Sequence, residues 1–205
     1  MDVAAGSSGR QKEFRPIIMK SHQFSPFMFI EELSTSFSIP SEPDLIPMIA
    51  SYVGGLFENS INTELSRSVE LVMDEALSNA IFHGNLEVSS IIKEGNFSEF
   101  YEVAKRRSAQ APYCLRRTHV SLSFIKGRLE IKVRDEGNGF NWKQIADFKK
   151  EDSGCIFGRG LRIIHAMTSK MEFNDPGNEI ILVFEGIKLC GAQNTEKSKQ
   201  DKAKM

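Results

Sequence analysis

The clearest pattern in the chain is a helical repeat of apolar residues between positions 63 and 84. Asn62 or Thr63 stands where a helix cap is expected, and Gly84 stands where the repeat stops. The apolar positions follow the i, i+4, i+7, i+8 spacing of one helix face: Leu65, Val69, Val72, Met73, Ala76, Leu77, Ala80 and Ile81. The pattern predicts an amphipathic helix with one buried side.

Two flanking regions carry weaker helical patterns. An apolar run through Phe57 predicts a helix that begins after Asp44; if Asp44 caps it, Pro47 falls in the first turn, where its missing N–H costs nothing. A second amphipathic helix is expected near the C-terminal end, with one side formed by Leu161, Ile164, Met167 and Thr168. Residues 98–107 predict a third, shorter helix.

Alternation of apolar and polar residues predicts β-strands. Lys126-Gly127 suits a tight turn inside a hairpin, and residues 175–178 suit a turn between strands at 171–174 and 179–184. A short strand is also expected at residues 37–39. The alternating hairpin positions are Val120, Leu122, Phe124, Leu129, Ile131 and Val133. Hairpin-paired strands with helices over one face predict an α+β, two-layer α/β sandwich with a mostly antiparallel sheet.

The remaining segments define the expected domain limits. Residues 1–25 and 187–205 are polar and aperiodic, which predicts flexible ends around one domain at 26–186. Residues 141–157 are charged and contain glycine, as is typical of a flap.

The segment 86–118 has no assigned role. Its arginines, Arg106, Arg107, Arg116 and Arg117, suit a partner contact or, as the favoured interpretation, a solvated basic surface.

Composition narrows the functional classes. With 205 residues and 40% hydrophobic content, the chain suits one domain with a substantial core. A net charge of −1 argues against a nucleic-acid partner. Cys114, Cys155 and Cys190 lack metal-site spacing and are expected to be reduced thiols. No secretion signal or membrane-length apolar run is recognisable, so we expect a cytoplasmic protein without a membrane partner.

Glu75 and Asn79 lie one helical turn apart, so their side chains can converge on one ligand. An amide oxygen can bind a hard cation such as Mg²⁺, and a carboxylate can accept a proton. Taken alone, the pair fits an ordinary charged helix flank better.

Asp135 continues the parity of the preceding apolar strand residues and is expected near the interior. A buried carboxylate needs a hydrogen-bond donor, such as the exocyclic amine of adenine. Gly137 and Gly139 permit positive φ and close approach of a ligand. A plain turn at the end of a strand remains the better interpretation of this motif in isolation.

The stretch Gly158-Arg159-Gly160-Leu161 stands at the start of the second amphipathic helix. Unpaired backbone N–H groups at such a start attract anions such as phosphate, although glycines also simply permit a bend. Arg159 suits either neutralisation of a γ-phosphate or an ordinary exposed position.

Together, the ExxxNA, DxGxG and GxGL stretches resemble the ATP-binding fold shared by gyrase, histidine kinases and MutL, the histidine-kinase-like (GHKL, Bergerat-fold) ATPases. They stand here as Glu75–Ala80, Asp135–Gly139 and Gly158–Leu161. The resemblance implies that Asn79 holds Mg²⁺, Glu75 is the general base, and Asp135 binds the adenine amine of ATP. It also implies that the glycine-flanked helix start contacts the phosphates beneath an ATP lid.

Within those ATPases, the stretch DEALSNAIFHGN, the short flap and the lack of an appended domain resemble the anti-sigma-factor serine-protein kinases over residues 37–185. This resemblance implies homodimers that phosphorylate a small antagonist protein and sequester a sigma factor. Residues 86–118 depart from it, because they are longer than the corresponding connection in the smallest members.

Two alternatives stay open at this level. An ATP-gated binding module with little or no phosphotransfer is compatible with the same residues. An ATPase motor or histidine autokinase is disfavoured, because neither a transducer domain nor a helical hairpin with a phosphoacceptor histidine is recognisable. His83 falls toward the core stripe of the helical wheel, which favours a structural imidazole that caps the helix end over a catalytic one.

Overall fold

The computed structural model describes residues 32–58, 61–89, 96–144 and 159–188. Within these ranges the chain forms five strands and four α-helices: β1 (Glu32–Pro40), α1 (Leu45–Leu56), α2 (Thr63–Ser78), α3 (Phe97–Ser108), β2 (Arg117–Ile125), β3 (Arg128–Arg134), α4 (Arg159–Met167), β4 (Lys170–Phe173) and β5 (Glu179–Phe184). A π-helical segment, Asn79–Asn85, continues α2, and single 3₁₀ turns lie at Tyr113–Leu115 and Trp142–Gln144.

The strands form one sheet in the order β1-β2-β3-β5-β4, with every neighbouring pair antiparallel. Residues on β2 and β3 alternate between buried and half-buried positions, so one face of the sheet carries the core beneath the helices. The observed α+β two-layer sandwich confirms the predicted fold class. The first strand begins at Glu32 and is longer than the predicted 37–39.

The two predicted hairpins are confirmed. Lys126 and Gly127 join β2 to β3 with φ values of 50° and 76°, the left-handed pair that matches the twist of a two-residue hairpin. Gly177, with φ 77°, lies in the loop that joins β4 to β5. Ile187 is buried and its N–H donates to the carbonyl of Gly127 at 2.9 Å, so packing continues one residue past the expected domain end at 186.

Helix α2 carries the predicted core stripe. The Asn62 side chain accepts a hydrogen bond from the N–H of Leu65 at 2.8 Å and caps the helix, and every stripe residue except the half-buried Leu65 is buried. Helix α1 packs closely on α2 at Gly54, where a Cβ atom would lie 2.9 Å from Cβ of Glu70. The hydroxyl of Ser66 donates to the Gly54 carbonyl at 2.9 Å at the same crossing.

The end of α2 departs from the predicted α-helix. From Asn79 to Asn85 the chain is π-helical, which adds a residue to the turn, so a wheel drawn at 3.6 residues per turn misplaces the following side chains. His83 is accordingly exposed and does not point into the core. Its Nδ1 lies 2.8 Å from the Val88 carbonyl, just beyond the helix end.

Two further expectations are wrong in detail. Asp44 makes no capping hydrogen bond to α1; its carboxylate instead accepts hydrogen bonds from Lys105 and Tyr101 of α3, and these bonds hold the pKa of Asp44 below its usual range. In α4, Leu161 and Ile164 are buried as expected, whereas Met167 is 39% exposed because the helix ends there.

Several predictions concern residues that the structure does not describe. These are the expected flexible ends through residue 25 and after 188, most of the expected flap at 141–157, and two of the cysteines, Cys155 and Cys190. Cys114 is an exposed free thiol. Among the described helices, none combines the length and the apolar content needed to cross a bilayer.

Candidate functional site

The glycine-flanked start of α4 lies directly against the pair of polar residues on α2. A Cβ atom at Gly160 would collide with Oε2 of Glu75 and would lie 3.3 Å from Cδ of that residue. It would also lie 3.8 Å from Nδ2 of Asn79. Only a glycine permits this close approach, so the structure brings together two motifs that are more than 80 residues apart in the chain.

The side-chain amide of Asn79 is a buried donor that is not satisfied by the described residues. Within the described part of the chain, its Nδ2 is the buried side-chain polar atom without a protein partner. Leaving such a group unsatisfied costs about 1–3 kcal/mol, so a ligand that restores the bond gains that energy. An amide beside the glycine-flanked start of a helix fits a phosphate oxygen through its NH₂ or a hard cation through its oxygen.

Asp135 forms the second part of the site, at the end of β3. Its side chain is 9% exposed, and burial raises its pKa to about 6. The N–H of Gly137 donates to Oδ1 at 2.8 Å, and this bond and the charge of Arg116 lower the pKa without offsetting burial. A carboxylate can accept several hydrogen bonds, so Asp135 can accept one from a ligand amine in addition to the bond from Gly137.

Gly84 and Gly137 close around this carboxylate. A Cβ atom at Gly84 would lie 2.5 Å from Oδ1 and 2.6 Å from Oδ2 of Asp135, and one at Gly137 would meet the Gly84 carbonyl. The three residues therefore pack as a unit in which neither glycine tolerates a side chain.

The π-helical segment joins the two parts of the site. Asn79 is its first residue and Gly84 its sixth, so the amide that adjoins Gly160 and the glycine that backs Asp135 belong to one short element. At the α-helical rise of 1.5 Å per residue, the two backbones are at most roughly 8 Å apart along the axis. The backbone of Asn79 therefore lies close to the glycine that contacts Asp135.

The other predicted site residues occupy different environments. Gly139, with φ 71°, packs on the Pro176 carbonyl in the β4–β5 loop, beside an open cavity of about 430 Å³ lined by Trp142 and Lys143. Arg159 is exposed at the start of α4, whereas Leu161 belongs to the core. Gly158 lies outside the described residues. Direct ligand contacts of these four residues remain predictions.

Sequence reasoning missed three residues that shape the site. The sequence pattern marks Gly84 only as the stop of a helix, and its place directly after His83 in the NAIFHGN stretch is the signal that could have found it. Asn85 is fully buried and accepts the N–H of Glu136 at 2.7 Å. Asn178 accepts the N–H of Asp135 at 2.9 Å through its carbonyl, and its amide donates to the Asp135 carbonyl at 3.2 Å.

The described residues contain no cluster of three or more His, Cys, Asp or Glu side chains that is arranged to hold a metal ion. A magnesium ion that is held mainly by phosphate oxygens and one amide needs no such cluster. The amide of Asn79, whose Nδ2 has no partner among the described residues, therefore fits a metal that enters together with a nucleotide.

Comparison with known proteins identifies the family to which this site belongs. A family model described as a histidine kinase-like ATPase domain matches residues 39–184. A search among curated proteins found no match. The matched range contains all three motifs, strands β2 to β5 and the last two residues of β1, so this chain belongs to the histidine kinase-like ATPase domain family, whose members bind ATP.

Proposed function

We propose that the chain is a Mg-ATP-dependent anti-sigma factor and serine-protein kinase. In this proposal it transfers the γ-phosphoryl group of ATP to a serine of a small antagonist protein and sequesters a sigma factor. The observation that carries the proposal is the contact of Gly160 with the side chains of Glu75 and Asn79. It supports phosphate binding within reach of a carboxylate, which is the arrangement that phosphoryl transfer requires.

Adenine recognition is assigned to Asp135. Its carboxylate accepts a hydrogen bond from the exocyclic amine, and the close packing of Gly84 and Gly137 fixes the position of that carboxylate. At pH values above about 6 the carboxylate is ionised, and a hydrogen bond to an ionised group is stronger than a neutral one.

The phosphates are assigned to the start of α4. Backbone N–H groups in its first turn have no intrahelical acceptor, and the helix dipole favours an anion there. Asn79 would hold Mg²⁺ together with the phosphate oxygens. When bound, the ion neutralises charge that develops on the phosphates during transfer.

Glu75 is assigned as the general base. Its Oε2 adjoins Gly160, so the carboxylate lies beside the expected phosphate position. Glu75 accepts the proton of the serine hydroxyl while the serine oxygen bonds to the γ-phosphorus and the bond to the bridging oxygen of ADP breaks.

The proposal is tested by identifying the partners and the phosphorylated residue. The chain is used as bait in native extract with and without Mg-ATP, and the captured proteins are examined for a sigma factor and for a small phosphoserine-containing protein. The purified antagonist is then incubated with labelled ATP and either the wild type or Glu75→Ala. Loss of a general base reduces the transfer rate by roughly 10² to 10⁴.

The outcomes separate the two open functions. Transfer to serine by the wild type, with intact ATP affinity but little transfer in Glu75→Ala, supports the kinase. Full transfer by Glu75→Ala contradicts the role of Glu75. ATP binding without any transfer by the wild type identifies an ATP-gated binding module instead.

A further inference from the structure

Two arginines of the segment 86–118 bind the carbonyl groups at the end of the π-helical segment. Nη1 of Arg116 donates to the Asn85 carbonyl at 2.7 Å and to Oε1 of Glu87 at 2.8 Å. Nη1 of Arg107 donates to the carbonyls of Leu86 and Glu87 at 2.7 and 2.6 Å. Carbonyls at a helix end lack intrahelical partners, so these side chains fix the direction in which the helix ends. They are not the solvated basic surface that the sequence favours.

Tyr113 holds the two guanidinium groups in place. The Cζ atoms of Arg107 and Arg116 lie 5.2 and 5.3 Å from the centre of its ring, within the range of cation–π contacts. The long side chains are thereby restricted before they bind the backbone, which reduces the entropy lost on forming each hydrogen bond.

Asn85 connects the end of the π-helical segment to the backbone next to Asp135. Its side chain is fully buried, with Oδ1 accepting the N–H of Glu136 at 2.7 Å and Nδ2 donating to the hydroxyl of Thr118 at 3.0 Å. Glu136 lies between Asp135 and Gly137 in the chain. Asn85 therefore ties the end of the π-helical segment to the backbone that carries the Asp135 carboxylate.

We propose that Arg116 and Asn85 are positioning residues for adenine recognition. Arg116 fixes the backbone of Asn85, and Asn85 fixes the turn from Asp135 to Gly137 so that the carboxylate meets the exocyclic amine. Neither residue contacts the nucleotide in this scheme. The inference rests on the ATP binding assigned to Asp135 above and gives the segment 86–118 a role in it.

Electrostatics supports the same assignment. The charge of Arg116 lowers the pKa of Asp135 and so favours the ionised acceptor. The other charged groups around the turn are paired: Glu87 with Arg116, and Glu136 with His119, while Arg134 also acts on Glu136. Arg116 is thus expected to act on Asp135 both through Asn85 and through its field.

The first test measures Mg-ATP binding by calorimetry between pH 5 and pH 8 for the wild type, Arg116→Gln and Arg117→Gln. Arg117 is the matched control, because it carries the same charge one residue further along and its side chain is not part of this network. Arg116→Gln is expected to bind ATP about three- to tenfold more weakly at pH 7.5. Loss of the Arg116 charge raises the pKa of Asp135, so ATP affinity in this variant is expected to fall to half of its value at high pH at a higher pH than in the wild type.

A purely structural loss of stability would not move that pH midpoint, so the midpoint separates positioning from general destabilisation. Equal affinity and an equal midpoint in Arg116→Gln and the wild type overturn the inference. Equal losses in both arginine variants without a change in midpoint also overturn it. If the wild type binds no ATP, the ATP site assigned above is wrong. That result differs from the two preceding outcomes, in which the wild type binds ATP.

A second pair of variants addresses Asn85 without removing it. Thr118→Val keeps the shape of the side chain but deletes the hydroxyl that accepts a hydrogen bond from the Asn85 amide, whereas Thr118→Ser retains the hydroxyl. Weaker ATP binding in Thr118→Val with recovery in Thr118→Ser supports the inference. Identical ATP affinity in the folded Val and Ser variants overturns the part assigned to Asn85.

Discussion

Gly84 lies against Asp135 so closely that a Cβ atom at the glycine would be 2.5 Å from a carboxylate oxygen. This contact joins the π-helical segment to the end of β3, and it forces the buried carboxylate to keep one position. The two residues are far apart in the chain, yet each restricts what the other can be.

Gly84→Ala is therefore expected to weaken ATP binding by at least tenfold and to lower stability, because the methyl group displaces Asp135 or the segment that carries Gly84. Calorimetric ATP titration and urea unfolding measure the two effects. Gly55→Ala is the matched control: a Cβ at Gly55 meets nothing within 4 Å, and alanine in helix α1 is expected to add about 0.5–1 kcal/mol of stability. Normal ATP affinity in Gly84→Ala would contradict the close packing.

The raised pKa of Asp135 predicts a specific dependence of stability on pH. Burial raises this pKa from 3.8 to about 6, so the native state holds its proton more tightly than the unfolded state does. Between these values the native state binds more protons, and the free energy of unfolding falls as pH rises. The ionised carboxylate then costs roughly 3 kcal/mol of stability above pH 6.

Asp135→Asn removes this titration and is expected to be more stable than the wild type at pH 7.5, with the difference shrinking toward pH 4. Urea unfolding of both proteins at several pH values measures it. Comparing the pair cancels the titration of other carboxylates. A stability difference that is independent of pH would show that Asp135 is not buried as described.

The same substitution is expected to have the opposite effect on ATP. The amide of Asp135→Asn cannot replace the ionised acceptor, so ATP affinity should fall by about 10- to 100-fold, equivalent to a charged hydrogen bond of about 1.5–3 kcal/mol. In the wild type, protonation of Asp135 should weaken ATP binding as pH falls below about 6. Calorimetry at pH 5.5 and 7.5 tests both; unchanged affinity would remove Asp135 from the site.

Asn79→Ala should separate ligand binding from folding. The substitution deletes a buried Nδ2 that has no partner among the described residues, so the melting temperature without nucleotide should change little. The rise in melting temperature on adding Mg-ATP should largely disappear, since a ligand stabilises only as far as it binds the native state. Thermal melts with and without Mg-ATP measure this. An undiminished rise would exclude Asn79 from the Mg-ATP site.

The sequence by itself determined the fold class and most elements. Periodicity located α2 and the hairpin around Lys126-Gly127, because local spacing records which face of an element is buried. The helix cap was narrowed to Asn62 or Thr63, and the structure shows that it is Asn62. The spacing of the three motifs also indicated the ATPase family that the comparison with known proteins supports.

Only the tertiary structure showed which segments of the site contact one another. The π-helical turn at Asn79–Asn85 has no periodic signature, and it invalidated the direction assigned to His83. Arg116 was indistinguishable from a solvated arginine until its partner, the Asn85 carbonyl, was known. Contacts such as Gly84 with Asp135 depend on distances between segments that are remote in sequence, whereas periodicity reports only the local direction of side chains.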